Sequence, residues 1–192
     1  GDERWFLWVH LFDPHSDYAA PEPWRTEFAS SPYDGELAYV DAELGSFLTW
    51  LDERGQLRET LVALTSAPGE SLGEHGERTH DTFIYDATTR VPLILAHESL
   101  DRGRRVGQVV GSVDVMPTVL DLLEIESSGR SDGRSLAPLA RAEVDLLEAL
   151  PAYSESMFPY YSNGWARLTA LRDESWRRVR APRPELYDLR AD

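Results

Sequence analysis

Cysteine is absent from the 192 residues, and so is lysine: all nineteen basic residues are arginine. Without cysteine there is no disulfide and no thiol nucleophile within the chain, although a cysteine-free protein suits any redox compartment. An all-arginine basic set fits a GC-rich genome or a salt-adapted proteome equally well. Long hydrophobic runs are missing too. The longest, Trp5 to Phe12 and Val91 to Ala96, are strand-sized and far short of a bilayer span. No basic stretch precedes an apolar one at the start, and the chain opens on Gly1 rather than Met, as a trimmed protein or an internal fragment would. Positive charge is also scarce, since a net charge of −15 argues against general binding to nucleic acid or anionic membranes.

What is present is 42% hydrophobic residues over a length that can bury a core, so one domain or one large piece of a domain is expected. Trp5 to Phe12 is apolar on both alternating faces, as in a strand buried on both sides of a parallel sheet. Ser31-Pro32-Tyr33-Asp34 opens a helix whose apolar positions recur through Leu51, with Gly55 as its stop. Strands are expected over Thr60 to Thr65 and Arg90 to Ala96, and the Gly-, Glu- and His-rich loop between them has the length of a functional loop. Asp114 caps an expected helix over Val115 to Ile125. Ser127 to Asp132 reads as a flexible connection, and Ala142 to Leu150 as a further helix.

After Pro151 short strands follow at Ala152 to Ser156, Ala166 to Arg172 and Ser175 to Ala181, the last two as a hairpin turning at Asp173-Glu174. Alternating strands and helices followed by an antiparallel unit give an α/β reading. A buried strand so close to residue 1 needs neighbours that lie before it.

The most specific signal is Thr65-Ser66-Ala67-Pro68-Gly69-Glu70 followed by Gly73-Glu74-His75-Gly76. It resembles the Thr-Ser-Asp-His-Gly-Glu…Gly-Glu-His-Gly signature of sulfatases in the alkaline phosphatase superfamily. Trp8 to His15, Tyr33 to Asp41, Tyr85 to Ile94, Gly133 to Leu136, Ala170 to Asp173 and Glu185 to Leu189 resemble family segments in order and spacing. The resemblance implies an alkaline-phosphatase-like α/β/α sandwich with a mostly parallel sheet. Residues 1–150 would be the C-terminal part of the catalytic domain, and residues 151–192 a small antiparallel subdomain. It implies sulfuric ester hydrolysis, calcium or another divalent cation in intact members, and an extracytoplasmic, periplasmic setting. The formylglycine nucleophile and two Asp ligands of the family would lie before this region, so the missing N-terminal half of the fold is itself an expected partner.

Residue by residue, the resemblance gives His15 and His80 catalytic roles, with His15, His80 and Arg90 contacting the anion of a sulfate or phosphate ester or a sulfated glycan. A loop histidine is as often structural or solvated, and Asp13 shapes the Asp-Pro-His turn rather than performing chemistry. His15, Ala67 and His80 are expected near one end of a single sheet. Ala67 and Pro68 stand where the family holds its metal, and neither side chain has a donor atom, so no metal is expected on this chain. Drift, pseudoenzyme evolution, engineered inactivation and sequence error each reach that pair from common codons.

His75, His80, Glu70, Glu74 and Glu77 have the composition of a replacement metal site, but two histidines five apart across Gly76 fit no usual zinc spacing. Asp81 replaces a customary Gly, and its carboxylate would repel an anion. Tyr160, Tyr161 and Trp165 read as packing, with a substrate cleft as the other option. The alternative to a hydrolase domain is a non-catalytic pseudoenzyme or a module that binds anions or sulfated glycans.

Overall fold

A computed structural model describes residues 4–126 and 129–191, so Ser127 and Ser128 of the expected flexible connection lie outside the described residues. The chain forms two compact units, residues 1–58 and 59–192.

The first unit is organised by helix α2 (Pro32–Glu53), which follows a short helix α1 (Trp24–Glu27). Proline in the first turn costs α2 nothing, because that N–H would have no helical partner. At the other end Gly55 takes φ +68 and its N–H bonds to the Asp52 carbonyl, closing the helix. A Cβ at Gly35 would lie 3.1 Å from that of Phe28, so glycine lets the chain after α1 approach closely. Glu36 is buried, and its carboxylate accepts the backbone N–H groups of His15 (2.9 Å) and Ala19 (2.6 Å).

The expected strand over Trp5 to Phe12 is not formed. These residues are irregular and exposed, Phe6 at 81% and Trp8 at 78%. A strand exists only through its ladder, and the described residues of this unit contain no sheet to supply one.

In the second unit, β1 (Val62–Thr65) pairs with β2 (Leu93–Ala96). The pairing is antiparallel, Val62 opposite Ala96 and Thr65 opposite Leu93, where parallel neighbours were expected. The register explains why: the loop from 66 to 92 returns to the end of the sheet it left, instead of crossing over as a parallel connection must. Helix α3 (Asp86–Thr89) lies within that loop.

A single turn at Ser112–Asp114 leads into α4 (Val115–Leu122). Buried Asp114 accepts from Gly111 N–H and from Arg134 N–H (both 2.9 Å), fixing the start of α4 against the chain twenty residues later. Helix α5 (Ala137–Ala140) follows, and the helix expected over Ala142 to Leu150 is replaced by an irregular strap. The Gln108 amide donates to the Leu147 carbonyl (2.8 Å) and accepts from its N–H (2.9 Å), while Arg104 and Arg134 take the carbonyls of Val144 and Glu148. Side chains thus claim the groups a helix would have paired internally.

The C-terminal part is a four-stranded antiparallel sheet in the order β3 (Ala152–Ser156), β4 (Leu168–Arg172), β5 (Trp176–Arg180) and β6 (Glu185–Asp188). Between β3 and β4 lies helix α6 (Phe158–Asn163), ended by Gly164 at φ +67. The β4–β5 turn needs no glycine because Asp173 accepts from the N–H groups of Ser175 (2.8 Å) and Trp176 (2.7 Å). Those bonds hold its carboxyl below the ordinary aspartate range. One face of the sheet packs Leu168, Ala170 and Val179 on Ile84, with Phe83, Tyr85 and Tyr187 around them. The 66–92 loop is therefore bedded on this sheet. Both described sheets are antiparallel, and the architecture is α/β. No described helix is long and apolar enough to cross a membrane.

Candidate functional site

The loop from 66 to 92 is held by short-range closures. Gly69 N–H bonds to the Thr88 carbonyl (2.9 Å), and a Cβ at Gly69 would stand 2.5 Å from the Ala87 carbonyl oxygen, so only glycine fits this approach to α3. Ser71 N–H bonds to Thr79 O and Gly73 N–H to Glu77 O. Glu77 is buried, and its carboxylate accepts from Thr82 N–H (2.7 Å) and Phe83 N–H (3.1 Å). The carboxylate replaces a secondary-structure ladder for backbone that has none.

This frame presents His80. Its Nδ1 donates to Glu70 Oε2 at 2.8 Å, with only 14% of the His80 side chain and 6% of the Glu70 side chain exposed. A carboxylate bonded to one ring nitrogen fixes the imidazole plane and leaves Nε2 as the other polar atom of the ring. Nε2 faces Asp81 Oδ1 at 3.9 Å. Asp81 has φ +87, and its carbonyl accepts from Ser156 Oγ (2.9 Å) on β3. The sequence offers Glu70 only as a metal-ligand candidate, since ten residues separate it from His80.

Two further contacts bind the loop to the C-terminal sheet. Asp86 accepts from Arg172 Nε (3.0 Å) and from Arg177 (2.5 Å), and Arg177, 2% exposed, also donates to Thr89 Oγ1 (2.9 Å) and the Ile84 carbonyl. Burial pulls the Arg177 guanidinium below its usual range, against the opposing pull of Asp86. Glu185 accepts from both Tyr85 (2.9 Å) and Tyr187 (2.8 Å), and the His75 ring stacks on Tyr85 at 3.7 Å. Burial, followed by the Glu185 contact, pushes the Tyr85 phenol well above its ordinary value. These arginines were missed in the sequence. The alternation of Arg177 and Val179 along β5 was the available sign that Arg177 points inward.

The remaining expected site residues are placed as follows. His15 lies in the first unit, its ring stacked on Phe12 at 4.3 Å and its Nδ1 donating to Ser16 O (2.7 Å). Arg90 is exposed just after α3, its N–H bonded to the Asp86 carbonyl. Ala67 and Pro68 are exposed beyond β1, where Ser66 Oγ bonds to the Pro68 carbonyl. Hydroxyl and carbonyl oxygens are the local donors, with no carboxylate at 67 or 68, and this set does not fit calcium or magnesium. Among the described residues no group of three or more His, Asp or Glu side chains is arranged to hold a metal. Trp165 lines an apolar cleft of about 230 Å³ with Phe83, Tyr85, Leu168, Val179 and Glu185. Tyr160 and Tyr161 instead pack edge to face, with Arg167 over Tyr160.

Residues 1–125 match the sulfatase family. Arylsulfatase K of Gallus gallus is 31% identical over 169 residues, covering 83% of this chain and 31% of that protein. The phosphonate monoester hydrolase of Agrobacterium radiobacter superposes with a TM-score of 0.73 at 26% identity, over 84% of this chain and 35% of the other. A protein solved with its substrate D-glucosamine-2-N,6-O-disulfate gives 0.74 at 27% identity, over 84% and 34%. The chain thus spans about a third of the length of such relatives.

Proposed function

Because the chain belongs to the sulfatase family, we propose that it supplies the His80 side of a sulfuric ester hydrolase site and does not itself turn over an ester. The observation that carries this reading is the Glu70–His80 pair, a histidine oriented by a nearly buried carboxylate and aimed from a loop braced on two sides. In this role Nε2 of His80 contacts an anionic ester and passes a proton to the departing oxygen, with Arg90 as a further anion contact. The substrate class is a sulfate ester of a sugar, as in the glucosamine disulfate bound by a structural relative.

Family members are generally metal-dependent, whereas the side chains of Ala67 and Pro68 offer a cation no donor atom. The nucleophile belongs to the part of the fold represented in relatives and not in these residues. In the whole domain, residues 1–150 form part of an α/β/α sandwich with a mostly parallel sheet, which Trp5 to Phe12 joins as a strand, and residues 151–192 form the small antiparallel subdomain. The partner implied is the rest of that domain.

Titrating inorganic sulfate into the protein while following the histidine ring signals tests this reading. His80 shifts that vanish in His80→Ala, with no hydrolysis of aryl sulfates above background, are the expected outcome. Turnover by these 192 residues, abolished by His80→Ala, would overturn the non-catalytic half of the proposal.

A further inference from the structure

Asp81 has a positive φ, a conformation that Gly adopts freely and that Asn and Asp adopt more readily than other side chains. Its φ of +87 lies in the left-handed region where a Cβ is strained and glycine is at ease. Ser156 Oγ on β3 donates to the Asp81 carbonyl at 2.9 Å, which ties this backbone to the C-terminal sheet. The side chain nevertheless stands 3.9 Å from Nε2 of His80, beyond a hydrogen bond but well within charge range. Exposure orders the three groups: Glu70 at 6%, His80 at 14% and Asp81 at 57%. The Asp81 carboxylate is thus the most exposed charge beside the His80 ring.

We propose that Asp81 is a specificity-determining residue that screens the His80 site against free inorganic anions and favours esters carrying a cationic or hydrogen-donating group beside the anion. The inference rests on the His80 reading above. An oxygen accepting from Nε2 at about 2.8 Å comes close to Asp81 Oδ1, and two negative oxygens there repel. A ligand that places an ammonium between them satisfies both His80 and Asp81, so a zwitterionic sulfate ester gains where sulfate alone loses.

The test measures inorganic sulfate and 2-aminoethyl hydrogen sulfate binding to the wild-type chain and to Asp81→Asn, Asp81→Gly and His80→Ala. Asn keeps the shape and tolerates the left-handed backbone, so it isolates charge from strain. Removing one partly exposed like charge is expected to tighten sulfate by about tenfold in both Asp81 variants, and to reduce or reverse the preference for the zwitterion. Gain in Asp81→Gly without gain in Asp81→Asn would assign the effect to backbone relief and overturn the screening role. Unchanged sulfate affinity in both, with binding still lost in His80→Ala, overturns the screen and leaves the His80 reading standing. Absence of His80-dependent binding in every variant overturns the reading and the inference together.

Discussion

Asp86 and Arg177, ninety-one positions apart in sequence, form a 2.5 Å ion pair that fastens the His80 loop to the C-terminal sheet. The guanidinium also serves Thr89 and the Ile84 carbonyl, while its Nε is buried without a partner. A cation so enclosed depends on its counter-charge.

Asp86→Ala should therefore destabilise the second unit by about 3–5 kcal/mol, as expected when one member of a buried pair is removed and the other left uncompensated. Urea unfolding followed by tryptophan fluorescence measures the loss. A change below about 1 kcal/mol, the range of a surface pair, would show that the contact is incidental.

The Glu77 carboxylate carries two backbone N–H groups that have no strand or helix to serve them. Glu77→Ala is expected to speed amide exchange at Thr82 and Phe83 and to cost about 1.5–3 kcal/mol, the scale of a hydrogen bond to a charged group. Exchange unchanged at those two amides would contradict this anchoring.

Tyr85 gives a pH signature with a defined sign. Its folded phenol is raised, through burial and then Glu185, so its contribution is complete below the ordinary tyrosine value. Above that value the unfolded chain sheds the proton that the folded chain retains, and stability falls as pH rises. Tyr85→Phe should flatten the decline above about pH 10. An identical alkaline slope in the variant would rule Tyr85 out as its source.

Calcium or magnesium titrated calorimetrically into the protein should give no high-affinity event, because residues 65 to 68 lack the carboxylates hard cations need. Ala67→Asp with Pro68→His is expected to leave this unchanged, since one carboxylate and one imidazole do not complete an oxygen shell. A stoichiometric ion bound near residue 67 would refute the assignment.

How far these features were legible in the sequence depended on whether their cause was local. Helix α2 could be read from Ser31-Pro32 to Gly55, because caps and periodicity act within a turn. Strands β3, β4 and β5 were equally plain from alternation, β6 was not among the expected strands, and α6 had its own signs in Pro159 and Gly164. Strand direction was not local: the pairing of Thr65 with Leu93 depends on where a 27-residue excursion ends. The strap at 142–150 had helical composition, yet Gln108 and Leu147 decided it from 39 positions apart. At the site, His80 was legible through its motif, whereas Glu70 became its partner only through the closures of Ser71 on Thr79 and Gly73 on Glu77.

The exposed run from Trp5 to Phe12 bears on how this polypeptide behaves in a test tube. Eight successive residues without Asp, Glu, Lys, Arg or Pro, carrying four β-favouring aromatics and a valine among them, meet the criteria for intermolecular strand stacking. Net repulsion between chains at −15 acts over about a Debye length, near 10 Å at 0.1 M salt. Added salt removes that protection while leaving the sticky segment untouched. Colloidal lifetime should consequently shorten with ionic strength and protein concentration, and Trp8→Lys should lengthen it more than the same charge change made outside this segment.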